Sequence, residues 1–497
     1  KVLVANRGEI ACRIIRAVRE LGAASVAVYS EADALALHMR LADEALCIGP
    51  APASESYLDQ DAILDAAKKT GAEAIHPGYG FLSENAEFAE RCAKEGIVFV
   101  GPSPKAIRLM GAKTDARKVM IGAGVPVVPG TTEALDDADT AKATAEKIGY
   151  PVLLKAASGG GGKGMRLVER AADLGAALEG ARREAVSSFG DERVYMEKAI
   201  LSPRHIEIQV FADQFGNAVH LFERECSVQR RHQKVIEETP AVGLSQDVRN
   251  AMGQVAVQGT KAIEYVGAGT FEFLVDSQQN FYFLEMNTRL QVEHPVTELV
   301  TGVDLCSLQL RVASGEELPF KQEDLQQRGH AIECRVYAED PEHDFVPAPG
   351  PLLRYRPPLG PGIRVDDGVR EGDEIPRFYD PMIAKLCAWA PTRDEALART
   401  DRALGEYDIA GIANNLSFLR WVLASQPFQD GKYSTALLDE LGSYQPPEIP
   451  TAMRDKLLVA ACIAHMHHSG GGATSQEAPG NELSAWRRAL SPYGEGL

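Results

Sequence analysis

Two periods of apolar residues divide this chain. Over its first part Ile10, Ile14, Ile15, Val18 and Leu21 recur at helical spacing, and Gly22 stands where such a helix would end. Short apolar runs surround that helix: KVLVA (1–5), SVAVYS (25–30), AEAIHPGYG (72–80) and IVFVG (97–101), the last two with glycine-rich ends. Strands alternating with helices predict a parallel sheet covered by helices, running to about residue 110. From about 111 the period shifts toward two. PVLLK (151–155), VYMEKAI (194–200), HIEIQVFAD (205–213), AVHLFERECS (218–227), TFEFLVD (270–276) and FYFLEMN (281–287) mostly alternate apolar and polar residues, as half-buried antiparallel strands do. A third texture begins near HAIECRVYAED (330–340), is rich in Pro and Gly to about 376, and turns helical at EALARTDRALGEY (395–407). PPEIP (446–450) reads as a linker, LLVAACIA (457–464) as an apolar helix, and a Ser/Gly-rich stretch (469–475) precedes a last short helix.

Composition narrows the function. The 497 residues are 45% hydrophobic and 25% charged, enough for several cores without disulfides. Lys and Arg number 52 against 70 Asp and Glu, a net charge of −18. That balance argues against nucleic acid or an anionic membrane as partner, so any anion site must be built locally. Eight cysteines are scattered singly with no CxxC, which predicts free, buried thiols in a reducing, cytoplasmic setting. No apolar run approaches the roughly 20 residues of a membrane span. The chain opens at Lys1 inside an apparent strand, so the expectation is an earlier N-terminus, with a removed targeting segment left open.

Four segments carry possible chemistry. Ser158-Gly-Gly-Gly-Gly162-Lys163-Gly164 would let backbone N–H groups approach phosphates, although GKG in place of GK[ST] departs from a Walker A loop; the bland alternative is a flexible loop. TFEFLV and FYFLEMN flank the polar turn DSQQN (276–280) and read as a hairpin. If Val275 pairs near Phe281, Glu272 falls opposite Leu284 or Glu285. Two facing carboxylates repel unless a cation such as Mg²⁺ lies between them, and Asn287 would share their face. The alternative is a solvated hairpin face. NTRLQVEHP (287–295), if extended, sets Arg289, Gln291 and Glu293 on one side, where Arg and amide could hold a small planar anion and Glu take its proton. SVQRRHQKVIEE (227–238) concentrates Arg230, Arg231, His232 and Lys234; alone it reads as a charged surface loop.

Taken together, VANRGEIACRIIRA, AIHPGYGFLSEN, RLMGAK, YPVLLKAASGGGGKGM, YMEK, PRHIEIQV, ECSVQRRHQKVIEE, GAGTFEFL, EMNTRLQVEHPVTE, GHAIECRVYAEDP and FYDPMIAKL resemble the biotin carboxylase family of ATP-grasp enzymes, over residues 1 to about 440. The resemblance implies an α/β and α+β multidomain fold: an N-terminal parallel domain (1–110), an ATP-grasp domain (111–327) with a lid (about 128–200), a C-terminal domain (328–442) and a tail (443–497). It implies ATP-dependent carboxylation of biotin by bicarbonate, with Mg²⁺ or Mn²⁺ as metal. By resemblance, Lys113, Lys155 and the loop Gly161, Gly162, Lys163, Gly164 with Met165 meet the nucleotide. Glu197, Lys198, Ile200 and Leu274 belong to the adenine side, while His205, Gln229, His232 and Lys234 line the nucleotide and bicarbonate side. Glu272 and Glu285 hold metal, with Asn287 nearby. Arg289, Gln291 and the Val292 amide hold bicarbonate, Glu293 is the base, Arg335 steadies the biotin enolate, and Tyr79 lies near the biotin pocket. Arg16, Glu20 and Arg364 match a homodimer interface. The expected partners are a biotin carboxyl carrier protein and a carboxyltransferase subunit. TAMRD (451–455) has Arg454 where a biotin-attachment Met-Lys-Met would carry its lysine, so biotin is expected on another protein or on a domain beyond Leu497.

Three other readings compete. Another ATP-grasp ligase is disfavoured by the HPGYGFLSEN, RRHQK and NTRLQVEHP segments. A degenerate scaffold is disfavoured because every matched position is filled. A dinucleotide-dependent oxidoreductase is disfavoured by the single glycine of NRGE.

Overall fold

The structure, a computed structural model, describes residues 1–131, 134–135, 137–156, 165–446, 448 and 450–469. Lys1–Tyr444 forms one compact unit. It opens with β1 (Val2–Val4), α1 (Gly8–Glu20), β2 (Ser25–Ser30), β3 (Glu44–Gly49), β4 (Ala74–His76) and β5 (Val98–Phe99). These strands make a parallel sheet in the order β3-β2-β1-β4-β5. Ile10, Ile14, Ile15 and Val18 are buried as their spacing predicts, whereas Leu21 caps α1 and stays exposed. The strand expected over 72–80 shortens to three residues. Pro77 has no N–H to extend the ladder, and Gly78 and Gly80 take φ of 63° and 69°.

A small antiparallel sheet follows, in the order β7-β6-β8: β6 (Val152–Ala156), β7 (Met165–Val168) and β8 (Val194–Lys198). Helix α2 (Leu174–Phe189) packs on it, burying Leu174 and Leu178 against Val152, Leu154 and Met196. The glycine loop, with Gly161, Gly162, Lys163 and Gly164, lies outside the described residues.

The centre of the unit is one antiparallel sheet of eight strands. In chain order these are β9 (Arg204–Ala212), β10 (Ala218–Arg230), β11 (Gln233–Thr239), β12 (Gly267–Val275), β13 (Phe281–Asn287), β14 (His330–Tyr337), β15 (Ile363–Asp367) and β16 (Met382–Ala390). Their order in space is β13-β12-β9-β10-β11-β14-β16-β15. The segment from 330 joins this same sheet: β14 pairs with β11, from Ile236 opposite Cys334 to Thr239 opposite Ala331. One expectation changes here. The alternation is real, but its polar side is not solvated, and His205 to Ala212 of β9 are all buried. Ile206, Ile208 and Val210 face the helix Gln246–Ala262, with Phe271, Phe273 and Phe283 completing that core. Glu207 and Gln209 face the other way, toward α3 (His294–Thr301), with Arg224 between them and Thr297. A sheet covered on both sides can bury an alternating strand only if its polar side chains find partners.

α4 (Arg393–Glu406) closes the C-terminal part of the unit. Beyond Tyr444, the apolar stretch LLVAACIA lies within a longer helix, α5 (Thr451–Ser469). Among the described residues no helix is long and apolar enough to cross a membrane. All eight cysteines are free, and six of them are buried.

Candidate active site

The β12–β13 hairpin sets the first pair of acids. Val275 lies opposite Phe281, Leu274 opposite Tyr282 and Phe273 opposite Phe283; a bulge at Leu284 then brings Glu285 opposite Glu272. The two alternatives left open by the hairpin pattern are thus decided by one extra residue, and bulges re-aim side chains in this way. The row continues across the sheet through Glu207 on β9 to Arg224 on β10. Arg224 is fully buried and satisfied by Glu207, Gln209, Thr270, Gln291 and Thr297.

Lys234 is the hub. The RRHQK segment is a tight β10–β11 hairpin rather than a surface loop, with Arg231 and His232 at φ of 50° and 67°. That turn drives the next lysine inward. Its ammonium lies 2.6 Å from Glu207, 3.0 Å from Glu272 and 2.6 Å from Glu293. Burial alone would lower the Lys234 pKa, but the three carboxylates raise it well above the ordinary value.

NTRLQVEHP is not extended throughout. Pro295 starts α3, so Val292 and Glu293 turn into its N-terminus. Arg289, Gln291, Val292 and Glu293 nonetheless line one cavity of about 510 Å³. Glu293 bridges Lys234 and Arg335, the latter at 2.9 Å. Burial pushes its pKa up, but Lys234, Arg335 and Arg224 overcome that and hold it well below the ordinary carboxylate range. Arg335 also grips Glu237 at 2.6 Å. Gln291 is engaged by the protein: its Oε1 accepts from Arg224 and its Nε2 donates one N–H to Glu272, both at 2.8 Å, and the second N–H of its amide is left for an anion. Arg289 rests on Glu84 and Asn287, each at 3.0 Å.

Lys113, Lys155, Met165, His205, Gln229 and His232 line the same cavity. Ile200 and Leu274 line an adjoining space of about 790 Å³ that shares Lys155 and Met165. Glu197 borders a smaller cavity of about 260 Å³ with Lys113, Lys155, Glu285 and Asn287. Its carboxylate is already held by Arg117 at 3.0 Å and Lys155 at 2.5 Å. Lys198 is not brought in: its ammonium donates to the Gly149 and Tyr150 carbonyls, and its N–H to Pro129. Tyr79 lines a separate cavity of about 620 Å³, walled by aromatic residues. Arg289, Val292, Arg335 and Gln233 belong to both this and the 510 Å³ cavity, so the two spaces share a wall. Arg364 is half-buried within the chain, paired with Asp366 and Glu298, whereas Arg16 and Glu20 are exposed.

Residues that the sequence reading did not single out include Glu84, Glu207, Arg224 and Glu237. The available signal was a charged residue inside an apolar strand, as in HIEIQV and FERECS.

The donor set suits a hard divalent cation. Glu285 opens onto the cavities and has no hydrogen-bond partner among the described residues, and partial desolvation and the Glu272 charge raise its pKa. Glu272 receives Lys234, Asn287 and Gln291 on Oε1, while Oε2 lies 3.0 Å from His205 Nε2. Two facing carboxylates beside an amide are oxygen ligands of the kind Mg²⁺ takes. The other acid grouping, Glu207 with Glu272 and His205, already holds the Lys234 ammonium.

Comparison with known proteins follows this geometry along the chain. The family model for the biotin carboxylase N-terminal domain matches residues 1–107. That for the carbamoyl-phosphate synthase L chain ATP-binding domain matches 112–321, and that for the biotin carboxylase C-terminal domain matches 333–440. The mitochondrial methylcrotonoyl-CoA carboxylase subunit alpha of Rattus norvegicus is 52% identical over 462 residues, 93% of this chain. The chain spans 65% of that relative's length. Biotin carboxylase 2 of Bacillus subtilis is 54% identical over 440 residues, covering 88% of this chain and 99% of the relative. The biotin carboxylase domain dimer of Hydrogenobacter thermophilus 2-oxoglutarate carboxylase, solved with MgADP and bicarbonate, superposes with a TM-score of 0.85 at 48% identity, covering 90% of this chain and 99% of that one. Sequence, fold and domain order therefore agree, and the chain belongs to the biotin carboxylase family of ATP-dependent ligases.

Proposed function

We propose that this chain carboxylates biotin on a carrier protein, using ATP and bicarbonate through carboxyphosphate, as the first half-reaction of a biotin-dependent carboxylase. The observation that carries the reading is Glu293, a buried carboxylate of the charged cavity held between Lys234 and Arg335, the latter on the wall common to that cavity and the aromatic one.

Bicarbonate is a poor nucleophile until it loses its proton. In the proposed mechanism Arg289, the Val292 N–H and the second N–H of the Gln291 amide hold the anion, and Gln291 also braces Glu272 and Arg224. Glu293 takes the bicarbonate proton. Lys234 and Arg335 alone make it a weak base; an entering anion shares those cations and strengthens it. The freed oxygen attacks the γ-phosphorus of ATP, and the bond to the ADP oxygen breaks. Lys113, Lys155 and Lys234 spread the phosphate charge. When bound, Mg²⁺ or Mn²⁺ on Glu272, Glu285 and Asn287 would neutralise phosphate charge. Carboxyphosphate divides into CO₂ and phosphate, the phosphate takes the biotin N–H proton, and the nitrogen attacks CO₂. Arg335, oriented by Glu237, faces the ureido oxygen and stabilises its negative charge.

The remaining assignments follow from this reading. Ile200 and Leu274 pack on adenine in the adjoining space. Tyr79 serves the biotin cavity. The carrier, a carboxyltransferase and a homodimer with Arg16 and Glu20 at its surface are the proposed partners. The free thiols support a reducing compartment, which we take to be the cytoplasm. The deciding experiment is coupled ADP release: it should require bicarbonate and rise with biotin. ADP release that is indifferent to bicarbonate would refute the function. Co-purification with a carboxyltransferase, followed by assay of acyl-CoA and 2-oxo acid acceptors, would identify the final acceptor.

A further inference from the structure

The Asn6-Arg7-Gly8-Glu9 turn fails as a dinucleotide fingerprint, and no step above uses it. Each of its polar side chains nevertheless grips one part of the aromatic cavity. Asn6 Nδ2 donates to the Pro77 and Tyr79 carbonyls, both at 2.7 Å, and fixes the backbone that carries Tyr79. Arg7 forms a two-point pair with Asp33 at 2.7 and 2.8 Å, and its guanidinium lies 4.3 Å from the centre of the Tyr379 ring. Glu9 accepts the Tyr79 hydroxyl. The same Glu9 oxygen lies 3.3 Å from the ammonium of Lys385, which is wholly buried on β16. Lys385 donates in turn to the Val292 carbonyl at 2.8 Å. A buried lysine persists only with compensating charge, and Glu9 and Asp366 supply it.

We infer that the Asn6–Glu9 turn is a positioning element for the biotin cavity: it sets Tyr79 and Tyr379, and through Lys385 it ties that wall to the Val292 peptide of the bicarbonate site. The inference rests on the function proposed above. It accounts for what the N-terminal unit contributes where a dinucleotide-binding unit would hold phosphate.

The test uses the full chain with free biotin as acceptor. Tyr79→Phe removes only the hydroxyl that Glu9 accepts, and Glu9→Gln removes the charge facing Lys385. Each should raise KM for biotin about tenfold, while kcat/KM for bicarbonate in biotin-free ATP cleavage moves about threefold or less. The double variant should lose clearly less than the product of the two singles, because both contacts run through the Glu9 side chain and are coupled. A purely structural brace would instead lower both half-assays together with the melting temperature. Unchanged KM for biotin, equal loss in both assays, or additive losses would overturn the inference. If Glu9→Gln fails to fold, Tyr79→Phe, which keeps the ring and every charge, decides the matter by the same KM comparison. Wild-type protein lacking biotin-stimulated, bicarbonate-dependent ADP release would overturn the underlying function rather than this element.

Discussion

Glu293→Gln isolates the proposed base with little structural disturbance. The amide keeps the shape of the carboxyl group. Lys234 retains Glu207 and Glu272, and Arg335 retains Glu237, so neither cation is left buried without a partner. The stability cost should therefore fall well short of the roughly 3–5 kcal/mol typical of breaking a buried pair. The kinetic cost should be large, because a positioned general base contributes about 10²–10⁴-fold. Bicarbonate-dependent ADP release, followed in a coupled assay, should drop by about that factor. ATP affinity, read by calorimetry, should change by about threefold at most, since Lys113 and Lys155 do not touch Glu293. Turnover within about tenfold of wild type would refute Glu293 as the base. Loss of ATP binding in parallel with turnover would show that the residue holds the site together instead.

Arg335→Ala should reduce biotin carboxylation more than bicarbonate-dependent ATP cleavage; equal losses in the two assays would contradict its role at the ureido oxygen. Chelation should abolish ATP cleavage, and Glu285→Gln should raise the Mg²⁺ concentration needed for half-maximal rate; an unchanged Mg²⁺ titration would remove Glu285 from the metal set. Burial pushes the Glu9 pKa up to about 7, above the roughly 4.3 of an unfolded chain, so its favourable contribution is complete below the unfolded value and is lost as pH rises through 7. The melting temperature of wild type should therefore fall relative to that of Glu9→Gln between pH 5 and pH 8, and a constant difference would refute the shift. A Cβ at Gly368 would sit 2.4 Å from the Gly8 carbonyl carbon and 2.5 Å from the Glu9 nitrogen, so Gly368→Ala should displace the Asn6–Glu9 turn, raising KM for biotin and lowering the melting temperature; wild-type values for both would show that the turn tolerates displacement.

Legibility in the sequence followed how local each feature is. The α1 stripe and the β12–β13 hairpin depend on neighbours within one element or one turn, and both were readable from period alone. The bulge at Leu284 was not, because the alternation fits either register and only the folded pair selects one. The buried polar face of β9 was misread as solvated for a similar reason. Period two says that two faces differ, and it does not say that α3 and Arg224 cover the polar one. Lys234 looked like one charge in a surface run; what turns it inward is a hairpin with two residues at positive φ, and neither Arg nor His advertises that conformation. Glu272, Glu285 and Glu293 were already suggested by spacing, whereas roles for the single lysines and Glu197 came from the resemblance. There the folded chain adds restraint: Lys198 is already committed to internal partners.

The excess of acid in the whole chain takes on a local meaning at this site. Glu207, Glu237, Glu272, Glu285 and Glu293 lie among Lys234, Arg224 and Arg335, with His205 beside Glu272 and Lys113 acting on Glu285. Burial still opposes ionising so many neighbouring acids, and Glu237, raised to about 7 by burial with neighbouring acids opposed by Arg335, and Glu285, also raised, show the strain. In the proposed function bound metal relieves the Glu285 side, and the Glu293 side is relieved when that residue takes a proton. The shared wall of Arg289, Val292 and Arg335 then sets phosphate chemistry and biotin at one boundary. In the proposed function phosphate and CO₂ form where biotin can meet both without crossing bulk water, which is what a short-lived intermediate requires.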